Sequence, residues 1–173
     1  VHRHGPRPSS SRIAPGKDLE MSADGSGPAR PPQRIWAEPA PGKLMGRGHN
    51  AGDLLEAYDW DVIERREGLL RVGVHLPDAL RNPKNELFGG FTPTYVDLVA
   101  LHTYWAGREA RPGHPWLATL NMRVDYYAPV RGPRFEIEGR VVNRRGAMTF
   151  VETLFFHPEG EALAYAYTTL REV

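Results

Sequence analysis

The chain has 173 residues, of which 25% are charged and 40% hydrophobic, an ordinary composition for a globular protein with one domain and a tail. It contains no cysteine, which excludes disulfides, a thiolate nucleophile and a thiolate metal site. No apolar run reaches the ~18 residues of a membrane span, and the start of the chain lacks the apolar core of a signal peptide. We therefore expect a cytoplasmic protein with no membrane partner.

Charge and turn-forming residues are unevenly distributed along the chain. Residues 1–48 carry eight Lys/Arg against four Asp/Glu, whereas the remainder has 14 basic and 17 acidic residues, a balance of −3. A slightly acidic folded part is unsuited to phosphate backbones, so we expect no nucleic-acid partner. Residues 1–48 also hold eight of the 16 prolines and seven of the 18 glycines. This composition predicts a disordered tail over 1–48 and a folded domain over 49–173.

The first half of the folded part is predicted to contain two helices and a hairpin. Residues 51–60 are predicted as a short helix, and residues 60–76 as two strands joined at Glu67-Gly68. After a polar loop, the run through residue 105 is apolar nearly all round, which predicts one long buried helix.

The second half is predicted to contain four antiparallel strands between residues 117 and 173. Turn signals at 143–146 and 158–161 separate alternating segments. In the first segment Leu120, Met122, Val124 and Tyr126 are predicted to share one face. One long apolar helix and a half-buried antiparallel sheet predict an α+β fold in which the sheet covers the helix.

The start of the long helix admits two interpretations. Thr92-Pro93 fits an N-cap followed by proline at the first helical position. Alternatively, the helix begins at Gly89-Gly90 and tolerates Pro93 in its first turn. The glycines are either a tight turn or a place where the backbone approaches a ligand closely. Free N–H groups at such a helix start suit an oxygen that gains negative charge.

Asp97 is the only carboxylate in the long apolar segment. Burying an unpaired carboxylate costs several kcal/mol or more, a large part of the net stability of a domain. Asp97 is therefore solvated at a wet edge, paired with a loop Lys or Arg, or part of a functional site.

The spacing of these residues resembles a known family. The relevant segment is NPKNELFGGFTPTYVDLVALHTY, residues 82–104. Five residues separate Asn82 from Phe88, which is followed by Gly89 and Gly90. Asp97 lies seven positions after Gly90. This pattern resembles hotdog-fold thioesterases of the phenylacetate-pathway type, within the 4-hydroxybenzoyl-CoA thioesterase superfamily. The resemblance, over about residues 48–173, implies a hotdog fold and hydrolysis of an acyl-CoA substrate without a cofactor or a metal. A non-catalytic acyl-CoA-binding protein, a sensor or carrier, is the alternative.

The resemblance also implies residue roles. Asp97 would be the general base, or the nucleophile, and the Gly89 amide the oxyanion donor. Asn82 would position the attacking water. Thr119, at the start of the next strand, would assist the acid, or else be an ordinary strand residue.

Further positions are expected to bind substrate. Gly90 and Phe88 flank the predicted oxyanion donor, and Tyr95 could line an acyl pocket. Arg144 and Arg145, at a predicted turn, are expected to contact the phosphates of coenzyme A, because arginines suit phosphate. Surface charge is the alternative for both.

Phe88 departs from the family pattern. It occupies the position where the family usually has histidine, so any polar role of that histidine is lost. A hotdog dehydratase, which needs the histidine for proton transfer, is disfavoured by this change. An oxyanion donor from the backbone would be unaffected.

The spacing of the glycine and the acid has a geometric consequence. Gly89 and Asp97 are eight residues apart, which is ~12 Å along a helix. One thioester cannot touch both groups in one chain, so a shared site needs a second subunit. We therefore expect a homodimer or a dimer of dimers with the two long helices side by side.

Overall fold

A computed structural model describes residues 37–108 and 115–173. These residues form two α-helices and six strands: α1 Asn50–Leu54, β1 Asp61–Arg66, β2 Leu69–His75, α2 Thr92–Trp105, β3 Leu117–Tyr126, β4 Arg134–Arg145, β5 Met148–Phe156 and β6 Ala162–Glu172. All neighbouring strands are antiparallel, in the order β1-β2-β4-β5-β6-β3. A six-stranded antiparallel sheet packed on one central helix is the hotdog fold, so the predicted α+β class is confirmed.

The hairpin and the long helix lie where the sequence predicts them. β1 and β2 are joined at Gly68, whose φ of +68° is the left-handed conformation that favours glycine. α2 packs on β4 so closely that a Cβ on Gly139 would lie 2.1 Å from Thr103 Oγ1. Gly139 is therefore required for the contact between helix and sheet. None of the helices in the described part is long and apolar enough to cross a membrane.

The start of the long helix follows the second interpretation of the sequence, with Pro93 inside the helical run. A 3₁₀ turn covers Gly89–Phe91 and continues directly as α2 from Thr92. Pro93 lies in the first α-helical turn, and the cap position is occupied by Phe91, which makes no side-chain cap hydrogen bond. The helical run thus begins at the glycines, and the prediction of Thr92 as N-cap is wrong.

The predicted boundary between tail and domain needs correction. Residues 37–48 pack on the domain, with Leu44 and Met45 buried in its core. Lys43 Nζ lies 2.8 Å from a carboxylate oxygen of Asp59 and 2.9 Å from one of Asp61. The buried Leu44 and Met45 and the ion pairs of Lys43 thus hold this segment on the domain, although its Pro/Gly content is typical of a disordered tail. Residues 1–36, the rest of the predicted tail, lie outside the described residues.

Candidate active site

Asp97 and Thr119 meet at the junction of α2 and β3. The Thr119 hydroxyl donates a hydrogen bond to Asp97 Oδ1 at 2.5 Å. Asp97 is half-buried, and it has no ion pair within residues 37–108 and 115–173. No Lys or Arg among the described residues therefore neutralises the Asp97 carboxylate. The carboxylate sits at a partly wetted edge and is oriented by one hydroxyl.

A β-bulge directs Thr119 toward the helix. The register of β3 against β6 breaks between Thr119 and Asn121, so Leu120 is the extra residue. Without the bulge, Thr119 would share a face with Asn121, because side chains alternate along a strand. With it, Thr119 joins the face of Met122, which packs against the core. The prediction that Leu120 shares this buried face is wrong, since its side chain is 53% exposed.

The glycine turn presents backbone N–H groups to the surface. Gly89 and Gly90 are exposed, and as the first residues of the helical run their N–H groups have no intrahelical acceptor. A Cβ on Gly90 would lie 2.7 Å from Cε1 of the Phe88 ring. A larger residue at position 90 would therefore collide with the Phe88 ring unless that ring moved. The arrangement offers two donors to an oxygen that becomes negative.

Phe88 borders this turn as an exposed aromatic side chain. Its ring is 55% exposed and meets Phe91 edge-to-face at 5.9 Å between ring centroids. Its carbonyl oxygen accepts the Phe91 N–H, and its own N–H donates to Leu80 O. The aromatic ring thus contributes a non-polar wall beside the free N–H groups.

The sequence favours core packing for Tyr126, whereas the structure places its side chain at the turn. Its hydroxyl donates a hydrogen bond of 2.9 Å to the Gly89 carbonyl oxygen. The predicted alternation assigns Tyr126 to the buried face, yet the side chain is 57% exposed because it extends over the glycine turn. Nothing in the local sequence distinguishes it from a core tyrosine.

Asn82 organises the loop before the turn. Its Oδ1 accepts the N–H groups of Lys84 and Glu86, and its Nδ2 donates to a Glu86 carboxylate oxygen at 3.3 Å. One Nδ2 hydrogen remains for another acceptor. These contacts favour a structural role in the loop, and positioning of a water by Asn82 stays a prediction.

Tyr95 lies in the core rather than at the surface. Its ring is fully buried, stacks on Trp60 at 5.4 Å and meets Phe135 edge-to-face. Burial raises the pKa of Tyr95, and its hydroxyl has no hydrogen-bond partner among the described residues. The predicted acyl-pocket role is therefore corrected to core packing.

The two predicted coenzyme A arginines lie on different faces of the sheet. Arg144 is half-buried, with its guanidinium carbon 5.0 Å from the centre of the Tyr104 ring. Burial lowers its pKa, and its Nη2 has no hydrogen-bond partner among the described residues. It lines a cleft of about 500 Å³ with Arg66 and Arg140. Arg145 follows on the opposite face and is exposed.

Arg144 is level with Thr119 across the sheet. Thr119 pairs with Leu170, Leu170 with Thr149 and Thr149 with Arg144. Three strand spacings separate the ends of this row, or ~14 Å. The row brings a desolvated cation to a defined distance from the candidate carboxylate.

His102 lies elsewhere on α2. Burial lowers its pKa to about 4, with Arg65 and His49 adding to the shift. It is therefore neutral at physiological pH.

Comparison with known proteins gives similarities in sequence and in fold. Residues 85–164 match the family model described as the thioesterase superfamily, a stretch that includes the glycine turn, Asp97, Thr119 and Arg144. Over these residues the chain is similar to that superfamily. No curated protein matches the chain.

Several solved structures share the fold. A Streptococcus mutans protein bound to acetyl CoA is 17% identical, with 66% of this chain and 89% of that chain covered and a TM-score of 0.58. A hypothetical thioesterase from Streptococcus pneumoniae with coenzyme A is 16% identical, covering 66% and 86%, with a TM-score of 0.59. A phenylacetic acid degradation-related protein from Ralstonia eutropha is 18% identical, covering 73% and 92%, with a TM-score of 0.61. At these identities the likeness establishes the fold.

Proposed function

We propose that the protein hydrolyses an acyl-CoA thioester to the free acid and coenzyme A. The observation that carries this proposal is the hydrogen bond from Thr119 to Asp97, which orients a half-buried carboxylate that has no ion pair among the described residues. The thioesterase-superfamily match over residues 85–164 supports the reaction class. The S. mutans and S. pneumoniae structures, which contain acetyl CoA and coenzyme A, support the substrate class.

In the proposed reaction Asp97 acts as a general base. It takes a proton from a water molecule, whose oxygen attacks the thioester carbonyl carbon and forms a tetrahedral oxyanion. The free N–H groups of the glycine turn, Gly89 above all, stabilise the negative oxygen. When the intermediate collapses, the carbon–sulfur bond breaks and the proton on Asp97 returns to the thiolate. The same carboxylate could instead attack directly as a nucleophile, giving an anhydride that water then hydrolyses.

The proposed site combines two chains. The ~12 Å between Gly89 and Asp97 along the helix prevents one thioester from contacting both in one chain. β3 forms an edge of the sheet; Trp116, just before the strand, is 72% exposed, and Leu120 within it is 53% exposed. An edge strand with exposed apolar side chains is suited to pairing with a second copy. In such a homodimer, each glycine turn would lie near the partner's acid, and a dimer of dimers would retain this pairing.

Arg144 is the better candidate for a coenzyme A contact. Its ~14 Å from Thr119 is comparable to the length of the pantetheine arm between the thioester and the diphosphate. A phosphate would provide an acceptor for its unpartnered Nη2. Arg145, on the opposite face of the sheet, is less well placed but remains a predicted contact.

A non-catalytic acyl-CoA-binding protein is the second candidate function. Phe88 favours it, because this side chain offers no polar group to the thioester. The Thr119–Asp97 pair favours hydrolysis, because a binding pocket gains nothing from an oriented carboxylate that costs energy to desolvate.

The test is a panel of aromatic and aliphatic acyl-CoAs, assayed for release of free thiol and for binding by calorimetry. Hydrolysis of at least one acyl-CoA well above the uncatalysed rate supports the enzyme. Tight binding of acyl-CoAs without thiol release would establish the binding protein instead. Absence of both binding and release would contradict both functions.

A further inference from the structure

β3 makes side-chain hydrogen bonds to both ends of the candidate catalytic segment. Near its start, Thr119 donates to Asp97, and at its last residue Tyr126 donates to the Gly89 carbonyl oxygen. The first contact belongs to the proposed reaction. The second has no role in it so far, although it bears directly on the turn that carries the N–H donors.

The contact with Tyr126 determines how the glycine turn is oriented. The Gly89 carbonyl oxygen accepts two hydrogen bonds, from the Tyr126 hydroxyl and from the Thr92 N–H. A trans peptide group is planar, so the Gly90 N–H points opposite to this carbonyl. Two donors on the oxygen therefore hold the direction of the Gly90 N–H, and they polarise the amide so that this N–H becomes a stronger donor. The Gly89 N–H belongs to the preceding peptide, whose Phe88 carbonyl oxygen accepts the Phe91 N–H.

Packing alone does not explain the position of Tyr126. Its ring is 57% exposed, and Cε1 lies 3.7 Å from the place of a Cβ on Gly89. The neighbouring Tyr127 is similarly exposed, at 59%, and makes no hydrogen bond to the turn. Only the tyrosine whose ring reaches the turn uses its hydroxyl there. Tyr127 is therefore an exposed neighbouring tyrosine that serves as a control for the contact made by Tyr126.

We propose that Tyr126 is a positioning residue that holds the glycine turn in the orientation needed to stabilise the oxyanion. This inference rests on the proposed thioester hydrolysis. In the proposed dimer, each site takes its glycine turn from one chain and its acid from the other. Each β3 therefore contacts groups that belong to both sites. Its Thr119 end orients the acid of one site, and its Tyr126 end orients the N–H donors of the other.

The first test compares Tyr126→Phe with Tyr127→Phe in the full chain. Tyr126→Phe removes the donor to Gly89 but keeps the ring. We expect kcat to fall about tenfold or more while KM changes less than about twofold, because the donors act mainly on the transition state. Tyr127→Phe should retain wild-type kcat. Equal effects of the two changes, or a Tyr126→Phe enzyme within about twofold of wild type, would overturn the proposal.

The second test uses mixed dimers of Asp97→Asn and Tyr126→Phe chains, co-expressed with two different affinity tags and purified through both. One site then combines an intact acid with an intact glycine turn, and the other site carries both changes. We expect the mixed dimer to regain about half of the wild-type activity, well above either parent. Damage to the fold of the Tyr126→Phe chain would not be rescued in this way. A mixed dimer no more active than its parents would overturn the shared role of β3.

The two levels of inference can fail separately. If Asp97→Asn retains wild-type turnover, the proposed general base fails whatever Tyr126 does. If Asp97→Asn is inactive while Tyr126→Phe is fully active, only the role of Tyr126 fails.

Discussion

Tyr95 and Asp97 lie two residues apart on α2, yet they have opposite surroundings. The Tyr95 side faces the sheet and is buried among Trp60, Phe135 and Phe155. The Asp97 side faces β3 and is partly open to water, with the Thr119 hydroxyl on its carboxylate. An α-helix turns by about 100° per residue, so two positions apart is about 200° and the two side chains point away from each other. A tyrosine and an acid at this spacing cannot line one pocket in the same chain.

The difference teaches which face of the helix supports stability and which is available for chemistry. We expect a polar group on the core face to lower the free energy of unfolding or leave it unchanged. We expect a polar group on the β3 face to affect kcat. Substitutions on the two faces therefore test the assignment from both sides.

The largest effect is expected on the core face. Tyr95→Ala removes a buried aromatic side chain and should lower the free energy of unfolding by about 3–5 kcal/mol. Chemical denaturation measures the loss, and kcat per folded molecule at low temperature should change little. Tyr95→Phe is the matched control. Because the Tyr95 hydroxyl has no hydrogen-bond partner in the described part of the chain, its removal should be neutral or stabilising by about 1 kcal/mol. A strongly destabilised Tyr95→Phe would show that this hydroxyl has a partner.

The next effect is expected on the β3 face. Asp97→Asn keeps size and shape but removes the proton acceptor, so kcat should fall by ~10²-fold or more while dimer formation and fold persist. Removing a partly desolvated charge should leave the thermal midpoint unchanged or slightly higher. Asp125→Asn, which changes a β3 carboxylate paired with Arg123, is the control and should retain turnover. Normal turnover with a large drop in midpoint would make Asp97 structural and reverse the comparison.

A smaller effect is expected from the partner of the acid. Thr119→Val is nearly isosteric and removes only the hydroxyl that orients Asp97. We expect kcat to fall about tenfold, because a misdirected carboxylate remains a base but approaches water less well. The unfolding free energy should change by about 1 kcal/mol or less, since the side chain is exposed. Thr119→Ser should restore most of the lost rate, and failure of this rescue would contradict the orienting role.

The smallest effect concerns a third side of α2, where His102 lies near Arg65 and His49. Burial lowers the pKa of His102 to about 4 from its ordinary 6.5. Between these values the unfolded chain binds a proton that the folded chain does not, so the unfolding free energy should decline as pH falls from about 6.5 toward 4. We expect this group to contribute about 1–2 kcal/mol over that range, after allowance for its partial exposure.

Denaturation curves at several pH values measure this contribution. His102→Gln should flatten the decline. An equal slope for wild type and His102→Gln would show that other groups control acid stability.

The local pattern of the sequence determined much of this protein. The alternation of apolar residues predicted the six strands, and Glu67-Gly68 predicted the first hairpin, because both signals depend on neighbouring residues alone. The apolar run through residue 105 predicted the central helix, and the resemblance of the glycine–Asp97 spacing to a known family suggested its candidate chemistry. The apolar character of that helix also implied that a sheet must cover it.

Only the tertiary structure decided which side chains meet. The bulge at Leu120 turns Thr119 onto the face of Asp97, and it arises from the pairing of β3 with β6, where Thr119 lies opposite Leu170. The position of β3 at the sheet edge leaves Tyr126 exposed and able to reach Gly89. The packing of Leu44 and Met45 on the domain likewise depends on distant partners. Register, strand order and docking are set by contacts between distant segments, and the periodicity of a single segment carries no information about them.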